Sequence, residues 1–572
     1  MLIGSANGPS SGYREGVWAR NAHLTTLCTI LSMQRPHASE TKRLIELLHR
    51  PVSFWESSKK HRVGTLALIS ETRDPAAIPD IVLLLLDRDR DVERSAASAV
   101  SALVEVLRPE DLPWLDQVMR ERSPYNWSYP SPWAELKPGQ LNLLQRFEEE
   151  SVFALGVASM HYSGYVRDEA LRKLSDTHDG TELPFLLLRL NDWVQQVRQT
   201  ALALVRLRVT SKYAPFFVMN IALVSRLRLA RRGEQEGIVD GIEQLLRSEQ
   251  GRTALLTGLA STDYQVKRAC YKLGFGAESL HQIQLVEKAL SEPDPAIRLQ
   301  GAQRIASLSD PKSVEQLLSR AQKDRFAQVR RTVLETLCTK FQDKEQQWLE
   351  EALMDNHPSV RGYAQFQLGK EGSFKLRKFY IDALDRSEAT TLPAVISGLG
   401  ETGAASDSGL VVPHLSSQIP RVRRAVLRTL ARLKADAFVD VFQRYLSDDS
   451  RSVSREAMKG LAKTLHLTTG ETLWSVFANA QELHVRRNVL YLIARLSRWE
   501  SISYLLSACD SDAESVRNLA DSYIHRWHAR FNASFTAPSK PQVERLMAAL
   551  RKCGAKLDSS VTAQIEFGIR GF

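Results

Sequence analysis

Three runs of residues combine charge with helical spacing. Arg424 and Arg428 are four apart, Arg455, Lys459 and Lys463 form an i, i+4, i+8 series, and Arg487 and Arg495 flank Tyr491 at the same spacing. Residues four apart share one face of a helix, so each run predicts a stripe of cations. Such stripes suit electrostatic attachment to a phosphate backbone or to an acidic protein segment. Tyr491 is spaced to stack on a base. The competing reading is a solvated cationic face with no dedicated partner. Charge distribution singles the region out: net charge is +10, and residues 421–498 hold 15 Lys or Arg against 7 Asp or Glu.

A second candidate contact is a loop over residues 121–139, where four prolines prevent a regular helix and Tyr125, Trp127, Tyr129 and Trp133 crowd together. Large amphipathic rings on a loop suit a partner surface. The alternative is that they fold back over a gap between helices.

Catalytic and metal chemistry finds less support. No HExxH pair and no CxxC exist, and Cys28, Cys270, Cys338, Cys509 and Cys553 are far apart. His525 and His528 share a helix face but make an incomplete metal site. Glu148, Glu149 and Glu150 read as a solvated helix face. The glycine-rich stretch from Gly398 to Gly403 lacks the Lys-Ser/Thr of a phosphate loop. The expectation is no enzyme, no cofactor and no metal. Met1 to Gly12 has no signal-peptide pattern, and the longest apolar runs, such as 81–86, are too short to span a bilayer. A cytoplasmic protein without integral membrane association is expected, its thiols buried in a reducing compartment.

The elements that must position the stripes follow from a recurring phrase. A β-branched residue is usually followed by Arg or Lys, with a small or apolar residue four places on. Val166, Val197, Val266, Ile297, Val329, Val360, Val422, Val453, Val485 and Val516 each start one copy. Adjacent copies are 31 or 32 residues apart; Val360 to Val422 is 62, and Val197 to Val266 is 69. A period in this range marks stacked helix pairs, each unable to bury its apolar face alone. Gln282 to Leu290 reads as a first helix, Ser291 to Pro295 as a turn, and Ile297 to Leu308 as a second helix. Turn acids such as Asp294, Asp355 and Asp448 are placed to meet the arginine or lysine after the β-branched residue. That assigns Arg167, Arg198, Arg298, Arg361, Arg423, Arg486 and Arg517 a structural role first.

The phrases Asp355-Asn-His-Pro-Ser-Val-Arg361 and Glu292-Pro-Asp-Pro-Ala-Ile-Arg298 resemble the HEAT-repeat family, specifically bacterial HEAT-like repeats of the phycobilin-lyase type. The resemblance covers residues 60–530 with interruptions. It implies an all-α fold, an α/α superhelix or α-solenoid, and a non-catalytic protein-protein interaction scaffold or adaptor. Nothing in the chain selects the lyase role. The alternatives are a nucleic-acid-binding solenoid using a basic concave stripe, and a regulatory subunit of a separately encoded enzyme. The expected organisation is a helical cap over 1–59, the solenoid over 60–530 with an irregular segment at 211–236, and a cap and tail over 531–572. Within 211–236, Tyr213 to Leu229 reads as one long helical segment. If the β-branched residue faces the core, positions two and six after it face outward. The stripes of three consecutive second helices then align about 10 Å apart.

Overall fold

The computed structural model describes residues 39–50, 58–121, 132–230, 236–370, 372–531, 536–553 and 557–570. These are helices and their connections, with no strand among the described residues. The chain divides into two compact units, Met1–Arg304 and Ile305–Phe572. Each is a stack of antiparallel helix pairs, an α/α solenoid of HEAT-like architecture.

In the first unit the pairs include Leu183–Arg189 with Gln195–Arg208, and Arg252–Leu259 with Tyr264–Gly274. In the second unit, Val439–Tyr445 pairs with Arg451–Lys463 and Gly470–Asn479 with Leu483–Ile493. The repeat phrase marks the second helix of each pair. Its β-branched residue is buried in every copy except Val266, which is half-buried, and the residue four places on is buried in all ten. The small residue there admits the facing helix.

The arginine after the β-branched residue has two tasks. Its guanidinium donates to the carbonyl six residues earlier, closing its own turn: Arg167 to His161 (3.0 Å), Arg330 to Asp324 (2.7 Å), Arg423 to Ser417 (2.9 Å) and Arg486 to Ala480 (2.9 Å). It also reaches the acid in the next turn. Arg167 bridges Asp192 (2.7 and 2.9 Å), Arg330 bridges Asp355 (both 2.7 Å), Arg423 bridges Asp448 (2.8 and 2.9 Å) and Arg486 meets Asp512 (2.5 Å). The acid accepts in turn from a backbone N–H of its own turn, as Asp192 does from Val194 (2.9 Å) and Asp448 from Ser450 (2.9 Å). At Asp192, Asp355 and Asp512 the same residue's carbonyl accepts from the following arginine, namely Arg198, Arg361 and Arg517.

The departures have local causes. Arg361 pairs with Glu401 (2.5 and 3.1 Å), because the position 25 residues on, where a turn acid would stand, is Arg386. Asp294 is met by Arg268, two places after Val266. Arg198 and Arg298 close their own turns through Asp192, Trp193, Glu292 and Pro293 carbonyls.

Other expectations are corrected. The segment from Tyr213 to Leu229 is two short helices, Ala214–Met219 and Ile221–Leu227, broken at Asn220. The Asn220 side chain donates to the Phe216 carbonyl (2.9 Å), a local bond that competes with helix continuation. Within 531–572, expected as a cap and tail, stand two helices, Lys540–Cys553 and Ser559–Ile569, packed on the preceding pair. The stretch from Gly398 to Gly403 lies in and just after the Leu392–Thr402 helix, and a Cβ at Gly398 would overlap the buried Tyr380 ring.

Candidate anionic-partner interface

The stripe residues sit on three consecutive second helices of the second unit, Pro420–Leu433, Arg451–Lys463 and Leu483–Ile493, with Glu514–Ala529 packed next in line. Pro420 occupies the first turn of its helix, where its missing N–H has no intrahelical acceptor to lose. The apolar series Val422, Val426 and Leu430 is buried, as are Val453, Ala457 and Leu461, then Val485, Val489 and Ile493, and Val516, Ala520 and Ile524. Two residues further along a helix is a turn of about 200°, so positions two, six and ten after the β-branched residue point away from that core.

Three rows of side chains therefore cross the helices. The first is Arg424, Arg455 and Arg487; the second is Arg428, Lys459 and Tyr491; the third is Arg432, Lys463, Arg495 and Arg526. Arg424 and Tyr491 are half-buried and the rest are exposed. Rows are about 6 Å apart along a helix and neighbouring helices about 8–10 Å apart. Direct links hold the helices in register: Lys463 Nζ donates to the Ala431 carbonyl (3.0 Å) and Asn488 donates to Ser454 Oγ (2.9 Å).

Glu456 lies in the middle of this face. Its side chain is only 9% exposed and accepts two bonds from Arg428 (3.1 and 2.9 Å), with Lys459 at 3.6 Å. Burial alone would push its carboxyl up, but the Arg428 bonds, with Lys459 and Arg424 beside it, hold it below the usual range. Two stripe cations thus share an internal counter-ion.

Tyr491 does not present the ring expected for base stacking. The Arg495 guanidinium covers its face, 3.6 Å from the ring centroid. Arg526 lies over Tyr523 at the longer distance of 5.4 Å.

Arg432, Arg526 and Glu456 were not among the residues singled out by spacing. Arg432 and Arg526 stand ten places after Val422 and Val516, so extending the offset by one turn finds them. Glu456 stands at an otherwise inward position, and its charge is readable only once Arg428 is seen across the helix boundary.

The second candidate fares differently. Trp133 is 2% exposed and so is not a surface contact. It meets His161 edge-on at a centroid distance of 5.9 Å, and its carbonyl accepts from His161 Nε2 (2.9 Å). Burial lowers the His161 imidazole to about 4, which keeps it neutral in this core. Tyr125, Trp127 and Tyr129 lie outside the described residues.

His525 pairs with Asp521 at 3.5 Å, and among the described residues no group of three His, Cys, Asp or Glu is placed to hold a metal ion. Glu148 and Glu149 are exposed. Burial pushes the Cys270 thiol up to about 12 and the Cys338 thiol up to about 11. Among the described residues no helix is long and apolar enough to cross a membrane.

No protein-family model matches this chain, and no curated protein matches it. Among solved structures, a crystal structure of importin beta in a polyethylene glycol condition is similar at a TM-score of 0.31 and 13% identity, over 93% of this chain and 82% of that one. A Kap95:Nup1 complex is similar at 0.30 and 10% identity, over 96% and 88%. A Kap121p mutant is similar at 0.27 and 12% identity, over 94% and 68%.

Proposed function

We propose that this chain is a non-catalytic scaffold whose stacked helix pairs hold a macromolecular partner, and that the cationic face of the second unit docks an anionic one. The observation that carries the reading is the row Arg432, Lys463, Arg495 and Arg526, repeated at one offset on four packed helices. The arginines of the turn ladder are engaged with turn acids and carbonyls, whereas Arg455 and Arg487 are exposed and meet no carboxylate among the described residues. Carboxylates on a protein segment and phosphates on a nucleic acid both meet the charge requirement. Kinship with bacterial phycobilin-lyase-type repeats, inferred from the turn phrases alone, adds no chemistry to this role. A reducing, cytoplasmic setting belongs to the same proposal, since Cys270 and Cys338 are buried free thiols.

Elution of the full chain from immobilised heparin tests the face. Arg455→Glu with Arg487→Glu is expected to elute at clearly lower salt than the wild type. Lys312→Glu with Lys344→Glu changes net charge equally on exposed residues outside the face, and is expected to elute close to the wild type. Equal shifts in the two double variants would mean that retention reports net charge alone, and the face would be discarded.

Glu456 gives a prediction of opposite sign. Glu456→Gln removes the counter-ion shared by Arg428 and Lys459, so polyanion binding should tighten. The log–log salt slope should steepen by about 0.9 for each phosphate newly contacted. Titration of a labelled polyanion at several salt concentrations reads both changes; weaker binding with unchanged helicity would contradict the assignment.

A further inference from the structure

Resting on the polyanion-docking reading, we infer that the partner of this face is a double-stranded nucleic acid, held through its two phosphate backbones and read without regard to sequence.

The first argument is dimensional. The cations form a two-dimensional array, about 12 Å along the helices from the first row to the third and about 24–30 Å across the four helices. One extended acidic peptide runs along one row and leaves the others unmet. A duplex carries two anionic strands, and this span covers most of one duplex turn of about 34 Å.

The second argument is where the charge is concentrated. Glu456 offsets one of the two charges of the middle row, Arg428 and Lys459, and Tyr491 completes that row without charge. The outer rows carry more charge and make no carboxylate bond among the described residues, Arg424, Arg455 and Arg487 on one side, with Glu456 near Arg424 alone, and Arg432, Lys463, Arg495 and Arg526 on the other. The face thus presents two tracks of positive charge with a weaker strip between them.

The third argument is what the array lacks. Protein interfaces are anchored by apolar and aromatic side chains seated in pockets. Among the described residues, the large apolar side chains exposed on these four helices reduce to Leu483, the first residue of its helix and outside all three rows. Unpaired strands are held by open aromatic faces on which bases stack. Here Arg495 and Arg526 lie on the Tyr491 and Tyr523 rings. The charge exposed in the three rows is cationic and mostly guanidinium, which suits phosphate oxygens.

The test is fluorescence anisotropy with the full chain and four probes: two 20-base-pair duplexes of unrelated sequence, one of their single strands, and a Glu-rich peptide of comparable charge. Both duplexes are expected to bind within about twofold of each other, at least tenfold tighter than the single strand or the peptide. With about six phosphates contacted, the duplex log–log salt slope should be about −5. Arg455→Glu with Arg487→Glu should weaken duplex binding at least tenfold and flatten the slope. Arg432→Gln with Arg526→Gln, a milder change on exposed residues, should flatten it by about 2. Circular dichroism of each variant confirms the fold. A peptide or single strand that binds as tightly as the duplexes, and is weakened by the same substitutions, overturns the duplex assignment while the polyanion face stands. Strong preference for one duplex sequence overturns backbone-only reading. No binding to any probe overturns both proposals.

Discussion

Asp192→Ala should destabilise the first unit by about 3–5 kcal/mol, the cost of stranding buried charge. The Asp192 carboxylate is fully buried and takes Arg167 (2.7 Å), Arg189 (2.8 Å) and Arg120 (2.9 Å) together with the Val194 N–H (2.9 Å). Arg189 is itself fully buried, and Asp116 at 2.5 Å is its other carboxylate. Truncation leaves three guanidinium groups facing an empty site and frees the turn that starts the Gln195–Arg208 helix. Burial favours the protonated acid, yet the Arg167 bonds and the charges of Arg189 and Arg120 hold Asp192 well below the usual carboxylate range. The sign of the pH dependence follows. A depressed native value adds stability that is complete above the unfolded value of about 3.9 and is withdrawn as pH falls below it. The wild type should therefore lose its margin over the variant in acid. Thermal unfolding at several pH values, with amide exchange over residues 183–208, checks both points. A loss under about 1 kcal/mol would show that the cluster is not a structural keystone.

Phe442→Ala should cost the second unit about 3–5 kcal/mol. Phe442 is fully buried, and its ring lies so close to Gly460 that a Cβ there would stand 2.7 Å from Cδ1. The ring fills the space that the glycine leaves between Val439–Tyr445 and Arg451–Lys463. Truncation opens a cavity beneath the helix carrying Arg455, Lys459 and Lys463. The reciprocal change, Gly460→Ala, overpacks the same contact and should cost about 1–3 kcal/mol. Stacked repeats lose cooperativity when one pair is weakened, so amide exchange across residues 439–463 is the more direct readout than a single midpoint. Exchange that stays at the wild-type rate in Phe442→Ala would remove this contact from the core.

The architecture was legible because one requirement recurs. Each second helix needs a β-branched residue and a small or apolar partner four places on, and the period follows from counting them. Where another residue meets the requirement, the copy was unreadable. His61 stands where other copies have Val or Ile, yet Arg62 after it reaches Asp87, 25 residues on, at 2.8 Å. The break at Asn220 was hidden too, since it comes from a side chain donating to a backbone carbonyl, with no proline or glycine to mark it. For the candidate face, helical spacing identified the cations, but their neutralisation is a relation between helices. Glu456 cancels charge on a residue 28 places away, and Arg495 covers a ring on its own helix. The aromatic loop shows the limit of composition: Trp133 has the residue type of a contact and the surroundings of a core ring.

The arginine-to-acid bridges lie in the turns joining first to second helices, on one edge of each stack. An edge tied by short charged links resists stretching, whereas apolar contacts elsewhere permit small sliding. Flexing within a unit should accordingly pivot about the tied edge, as a book opens about its spine. The pages in that comparison are the second helices, so small angular changes would alter the distance between neighbouring cation columns while leaving spacing along each helix unchanged.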